Sequence, residues 1–131
     1  MPSANRAQGN LGEKIAAAFL MKKGYQILDR QWRCAQGEID LVARDGKTTV
    51  VVEVKTRRDQ RFGPPELAIN PDKARRLARL AEYYIRAAGS REPARIDVVT
   101  VALRSDGAAD VRHYENALAD LPFLDSRRAA W

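Results

Sequence analysis

An α/β fold, with a mixed sheet flanked by helices in the order α-β-β-β-α-β-β, is what this sequence predicts. Three observations carry the expectation. Two segments, around residues 10–23 and 70–88, repeat apolar residues at helical spacing. Asp45-Gly46 joins two extended runs with a strong hairpin signal. The run Val50-Val51-Val52-Glu53-Val54 is apolar on both sides of a strand, which requires a helix over each face of the sheet.

Asn10 and Glu13 resemble a capping box, so the first helix is expected to start there, run to about Lys23 and stop at Gly24. Leu11, Ile15, Ala18 and Phe19 form its apolar stripe, and residues 1–9 read as a flexible lead. A strand begins at Tyr25 and reaches Trp32 or Arg33, and Cys34 to Gly37 form a loop. Residues 38–44 alternate as a second strand, and residues 48–56 form a third. Residues 57–70, rich in charge, Gly and Pro, read as a loop beside the third strand's end.

The second helix opens with Asn70 as N-cap, Pro71 at N1 and Asp72 in the first turn, and closes at Gly89 after Ala88. Ala74, Leu77, Ala81, Tyr84 and Ile85 make one stripe, and Lys73, Arg75, Arg76, Arg79 and Arg86 line the other face. Ile96 to Leu103 is the fourth strand, Ser105-Asp106-Gly107 turns the chain, and Ala109 to Tyr114 is the fifth. A tail over residues 116–131 offers Leu118, Leu121, Phe123 and Leu124 for docking on the body.

The 131 residues suit one domain, 1–131, and 45% hydrophobic with 31% charged residues describes a water-soluble one. The single cysteine, Cys34, excludes an intrachain disulfide and fits a reducing compartment. There is no apolar run of membrane-spanning length and no signal-peptide pattern, so the expectation is a cytoplasmic protein without a membrane partner. The net charge of +6 favours a polyanion, with nucleic acid the leading class.

The charges inside the hairpin are the chemical signal. With Asp45-Gly46 as turn centre, Arg44 pairs with Lys47, Leu41 with Val50, and Glu38 with Glu53. Alternation then puts Glu38, Asp40, Val51, Glu53 and Lys55 on one face, and Ile39, Leu41, Val50, Val52 and Val54 on the other. Glu38 against Glu53 is a like-charge pair with Asp40 on the diagonal, a costly arrangement in a sheet. A divalent cation, Mg²⁺ or Mn²⁺, would offset it through carboxylate oxygens, and Lys55 stands beside it. Carboxylates, metal and an ammonium are the equipment of phosphodiester hydrolysis. The competing reading is a solvated face on which Glu53 and Lys55 form weak surface pairs.

At these residues a resemblance enters. Asp40, followed by Glu53-Val54-Lys55, looks like the PD-(D/E)xK nuclease motif, with Ile39 where that motif has proline. Gly12-Glu13, Lys23-Gly24-Tyr25, Gly37-Glu38-Ile39-Asp40-Leu41-Val42 and Val52-Glu53-Val54-Lys55-Thr56-Arg57 resemble the YraN family of small bacterial proteins. Gly63, Lys73 and Arg95-Ile96-Asp97-Val98-Val99 continue the match, over roughly residues 9–115. The resemblance implies a restriction-endonuclease-like fold similar to Holliday-junction resolvases, and a metal-dependent nuclease acting on DNA, including branched or structured DNA. An inert nucleic-acid-binding accessory is the alternative.

By position, the resemblance makes Asp40 and Glu53 metal ligands and Lys55 the group that positions water and phosphate. It adds Glu13 as a further acid on the first helix, in competition with its capping role, and Glu38 is a second-rank neighbour. Resolvase-like relatives also suggest a homodimer. Arg57, Arg58 and Arg61, with Lys73, Arg75, Arg76 and Arg79, form the expected phosphate-binding surface, or a solvated helix face, and Lys73 near the start of its helix could reach a phosphate or the active site. His113 has no metal-site context and is assigned to the surface or edge-strand packing, and Asp97 to a buried acid beside a basic residue.

Overall fold

A computed structural model describes residues 4–58 and 70–118, with side chains from residue 9 onward. Its elements are α1 (Ala4–Lys22), β1 (Gln26–Cys34), β2 (Gly37–Asp45), β3 (Thr48–Arg58), α2 (Pro71–Ala88), β4 (Ala94–Leu103) and β5 (Ala109–Tyr114). The order α-β-β-β-α-β-β is the expected one. The strands form a five-stranded sheet in the order β1-β2-β3-β4-β5. Among these described strands only β3 and β4 run parallel, and α2 lies in the connection between them.

Each sheet face carries one helix, as a strand apolar on both sides demands. On one face Ala16, Ala17 and Leu20 of α1 meet Leu41, Ala43, Val50, Val52, Val99 and Val101. On the other, Ala74, Leu77, Ala78, Leu80, Ala81 and Tyr84 of α2 meet Ile39, Val42, Val51, Ile96 and Val98. The α1 stripe is rotated from the expected one. Leu11 is 47% exposed, and small Ala16 and Ala17 take the sheet contact, where they let the helix lie close. Gly12 allows the closest approach of all. A Cβ there would lie 1.8 Å from Thr56 Oγ1.

The helix ends bear on the capping arguments. At α2 the prediction holds: Asn70 Oδ1 accepts from the Lys73 amide at 2.8 Å, and Gly89 adopts φ 65°. Gly24, φ 95°, ends α1 with its amide donating to Met21 O. The start of α1 is a correction. The helix begins at Ala4, within the stretch expected to be flexible, and Asn10 is interior. Its amide oxygen accepts from Gln31 Nε2 instead, at 3.0 Å, so there is no capping box at Glu13.

The hairpin register is also corrected. Asp45 pairs with Thr48, and Leu41 with Val52, so Gly46-Lys47 is the turn. Gly46 has φ 61°, whereas Lys47 is not among the positive-φ residues. Glycine at the first central position of a two-residue turn is the II′ pattern, and it displaces the expected Asp45-Gly46 centre. Continuing that register brings Asp40, rather than Glu38, across from Glu53. Glu38 pairs with Arg33 of β1 instead, at 3.3 Å. Ile39 lies in the α2-side core rather than with Leu41. Strand β1 bulges between Ile27 and Asp29, and opposite Asp40 its Gln31 takes φ 50°.

Candidate active site

Glu53 sits near the middle of β3 and is buried, at 8% exposure, on the α2 side. An ionised carboxylate in that position needs a cation or a donor. Two lysines answer. Lys55, two residues on along the same face, places Nζ 3.6 Å from Glu53 Oε2. Lys73, in the first turn of α2, places Nζ 2.5 Å from the same oxygen. The helix start puts Lys73 within reach of the site, but its partner Glu53 depends on how the helix docks on the sheet. The solvated-face reading therefore fails for this carboxylate.

Asp40 lies where regular β2–β3 pairing stops, and its Oδ2 accepts from the Val54 amide at 2.8 Å. The side chain thus replaces a ladder partner and is held against β3. Burial, and then the neighbouring Glu53 charge, push its pKa up to about 8, against the lowering effect of the Val54 bond. Glu13 is the third acid. Its Oε1 accepts from Gln31 Nε2 at 2.9 Å, and burial raises its pKa, with Glu38 and Glu53 adding to the rise. The left-handed backbone of Gln31 aims that amide at α1, a placement that sequence reasoning missed and that only a non-glycine residue at φ 50° reveals.

The lysines are perturbed in opposite senses. Burial lowers the Lys55 pKa, and its contact with Lys73 lowers it further against the pull of Glu53. For Lys73, burial opposes the charged form, but the bonds to Glu53 and Lys55 outweigh it and the pKa is raised. The same sheet face carries Thr100, the parallel partner of Lys55. Among the described residues, its Oγ1 is one of two buried side-chain polar atoms without a hydrogen-bond partner.

Asp40, Glu53, Lys55 and Glu13 therefore converge, and Lys73 joins them. Glu38, pointed to Arg33, contributes only a distant charge. Among the described residues, no group of three or more His, Cys, Asp or Glu side chains is arranged to hold a metal ion. The carboxylate pair offers hard oxygen donors only, which matches a cation that keeps most of its waters. Of the expected phosphate-binding residues, Arg57 and Arg58 are exposed at the end of β3, and Arg57 is near enough to Lys55 to lower its pKa. Arg75 pairs with Asp72 at 2.5 Å, and Arg76 and Arg79 are exposed on α2. Arg61 and the Gly63-Pro64-Pro65 stretch lie outside the described residues, as do Leu121, Phe123 and Leu124.

A second polar network occupies the opposite, α1 face. Asp97 is fully buried. It accepts from Arg95 Nε at 3.0 Å and from the Asn116 amide at 2.9 Å, and it meets His113 Nε2 at 2.8 Å. Lys23 Nζ lies 2.9 Å from His113 Nδ1. An ammonium only donates, so Nδ1 accepts and the Nε2 proton goes to Asp97. Burial alone would raise the Asp97 pKa, but the His113 and Arg95 bonds win and lower it. His113 is an edge-strand residue with a buried ring, 2% exposed at the side chain, which removes the surface reading.

No helix of the described residues is long and apolar enough to cross a membrane. Residues 12–101 match the model of UPF0102, an uncharacterised protein family. A UPF0102 protein of Streptomyces coelicolor is 50% identical over 114 residues, 85% of this chain and 88% of its own. One of Syntrophus aciditrophicus is 46% identical over 104 residues, 79% of this chain and 82% of its own. A third, of Geobacter sulfurreducens, is 44% identical over 114 residues, covering 86% and 89%.

Proposed function

The chain belongs to the uncharacterised protein family UPF0102, and we propose that it is a metal-dependent endonuclease of the PD-(D/E)xK type that hydrolyses phosphodiester bonds in DNA. The observation that carries this reading is the meeting of Asp40 and Glu53, with Lys55 on the same strand. Burial first, and then the neighbouring Glu53 charge, push the Asp40 carboxyl up to about 8, a perturbation of the kind that functional sites concentrate. The α-β-β-β-α-β-β order and the exposed arginines beside the site support the same reading.

Asp40 and Glu53 would hold Mg²⁺ or Mn²⁺, with Glu13 as a third acid behind them. Bound there, the ion would polarise the scissile phosphate and acidify a water. The protein's own part is positional. The Val54 amide fixes Asp40, Gln31 fixes Glu13, and Gly12 lets α1, which carries Glu13, lie close against Thr56 of β3. Lys55, an ammonium beside Glu53, would position the attacking water and stabilise charge on the phosphate. The orphaned Thr100 hydroxyl beside it is suited to an ordered water.

The test is cleavage of single-stranded, duplex and four-way-junction DNA with Mg²⁺ or Mn²⁺. Asp40→Ala, Glu53→Ala and Lys55→Ala are each expected to lower the rate by about a hundredfold or more. Activity that survives all three substitutions refutes the site. Preference for the junction would define the substrate class. A second reading, a DNA-binding accessory without cleavage, is favoured by one observation: both lysines already engage Glu53. It predicts salt-sensitive binding with no product.

A further inference from the structure

Glu53 is claimed twice. As a metal ligand of the proposed nuclease it must face a divalent cation, yet one of its oxygens is held by an ammonium from another element. Lys73 Nζ stands 2.5 Å from Glu53 Oε2, closer than Lys55 at 3.6 Å. The Lys73 side chain is 22% exposed and that of Glu53 10%, so the pair is screened less than a surface bridge. A divalent cation on the same oxygen would meet that ammonium at close range and be repelled by it.

We propose, resting on the metal-dependent nuclease reading, that Lys73 is an exchangeable internal counter-ion for Glu53, which holds the carboxylate in the metal-free protein and gives it up to the divalent cation on loading. Charge counting supports the exchange. Without metal, the buried Glu53 carboxylate is met by both the Lys55 and the Lys73 ammonium groups. With a divalent cation bound, the carboxylates are already neutralised, and both lysines become surplus positive charge. A released Lys73 ammonium, on the first turn of α2, is then available to a phosphodiester anion. Lys73 acts here as a positioning residue whose partner changes from carboxylate to phosphate. Metal therefore binds first, and tight engagement of the nucleic-acid backbone comes second.

The experiment reads binding rather than cleavage. Mn²⁺ alone is titrated into the full chain, with free Mn²⁺ followed by electron paramagnetic resonance, and thermal midpoints are recorded in EDTA. Lys73→Gln is expected to bind Mn²⁺ about tenfold more tightly than wild type, as loss of one close like-charge repulsion implies. Its midpoint in EDTA should fall, because Glu53 loses its nearest cation. Lys73→Arg, which keeps the charge, should bind Mn²⁺ like wild type and retain the midpoint. Equal or weaker Mn²⁺ binding by Lys73→Gln, with binding abolished by Asp40→Asn, overturns the exchange and leaves the metal site standing. Tighter binding by Lys73→Arg as well also overturns it, since charge would not be the cause. Absence of Mn²⁺ binding in wild type and Lys73→Gln alike removes the metal site and the exchange together.

Discussion

Gly12 shows how far a single missing atom can reach. A Cβ there would lie 1.8 Å from Thr56 Oγ1 and 2.9 Å from Thr56 Cβ, so α1 would have to lift from β3. Gly12→Ala is expected to destabilise by about 1–3 kcal/mol and to displace Glu13 beside it. Adding Thr56→Ala should recover part of that loss in a double-mutant cycle read by urea unfolding, whereas additive losses would refute the contact. Asp97 gives a pH prediction. Its pKa is lowered in the folded state, so its contribution is present above the unfolded carboxylate range and is lost as pH falls through the folded value. Asp97→Leu removes the acceptor of Arg95 Nε, the His113 ring and the Asn116 amide, while Arg95 keeps Asp45 and Glu115; it should cost about 1–3 kcal/mol near neutrality and flatten the acid limb of a stability–pH profile. Glu53 and Asp97 are both legible in the sequence as charges inside apolar runs. Lys73 on Glu53, Gln31 on Glu13 and His113 on Asp97 are not, because each joins residues far apart in the chain.

Among elements, α2 is the most legible, because its ends carry local chemistry. Asn70→Ala should cost about 1 kcal/mol in urea unfolding, and Asn70→Asp, which keeps an acceptor for the Lys73 amide, should cost little. Equal losses in both would refute the cap. The start of α1 departs from expectation for an instructive reason. Asn10 and Glu13 have capping-box spacing, but the helix continues upstream and both side chains turn to Gln31. The hairpin has the expected strands, and Leu41, Val50, Val51, Val52 and Val54 keep their expected faces, but Ile39 crosses to the α2 side and the partners are shifted by two residues. Asp45-Gly46 and Gly46-Lys47 are both acceptable turn centres, and the pairing of Asp45 with Thr48 selects the second. The shift matters chemically: it replaces Glu38 with Asp40 as the neighbour of Glu53.

For the whole molecule, periodicity is enough to order the elements, and the doubly apolar β3 is enough to place one sheet between two helices. What periodicity cannot supply is the irregularity of β1 and β2 at Gln31 and Asp40, which is where the site is built. The net charge of +6 has a measurable consequence. On the proposed nuclease reading, DNA affinity should fall steeply with salt, and Arg76→Ala or Arg79→Ala should each reduce the log–log slope by about 0.9 if the residue meets a phosphate. An unchanged slope in both variants would place the DNA path elsewhere.

The kinks in β1 serve more than the site. An outer strand with a straight row of free amides and carbonyls is a template on which another chain can add. Here the bulge near Leu28 and the left-handed Gln31 interrupt that row twice. At the other rim, β5 spans only Ala109–Tyr114 and exposes Asp110 and Arg112. Growth of the sheet from copy to copy, the route to fibrils, is thus discouraged at both rims of the described sheet.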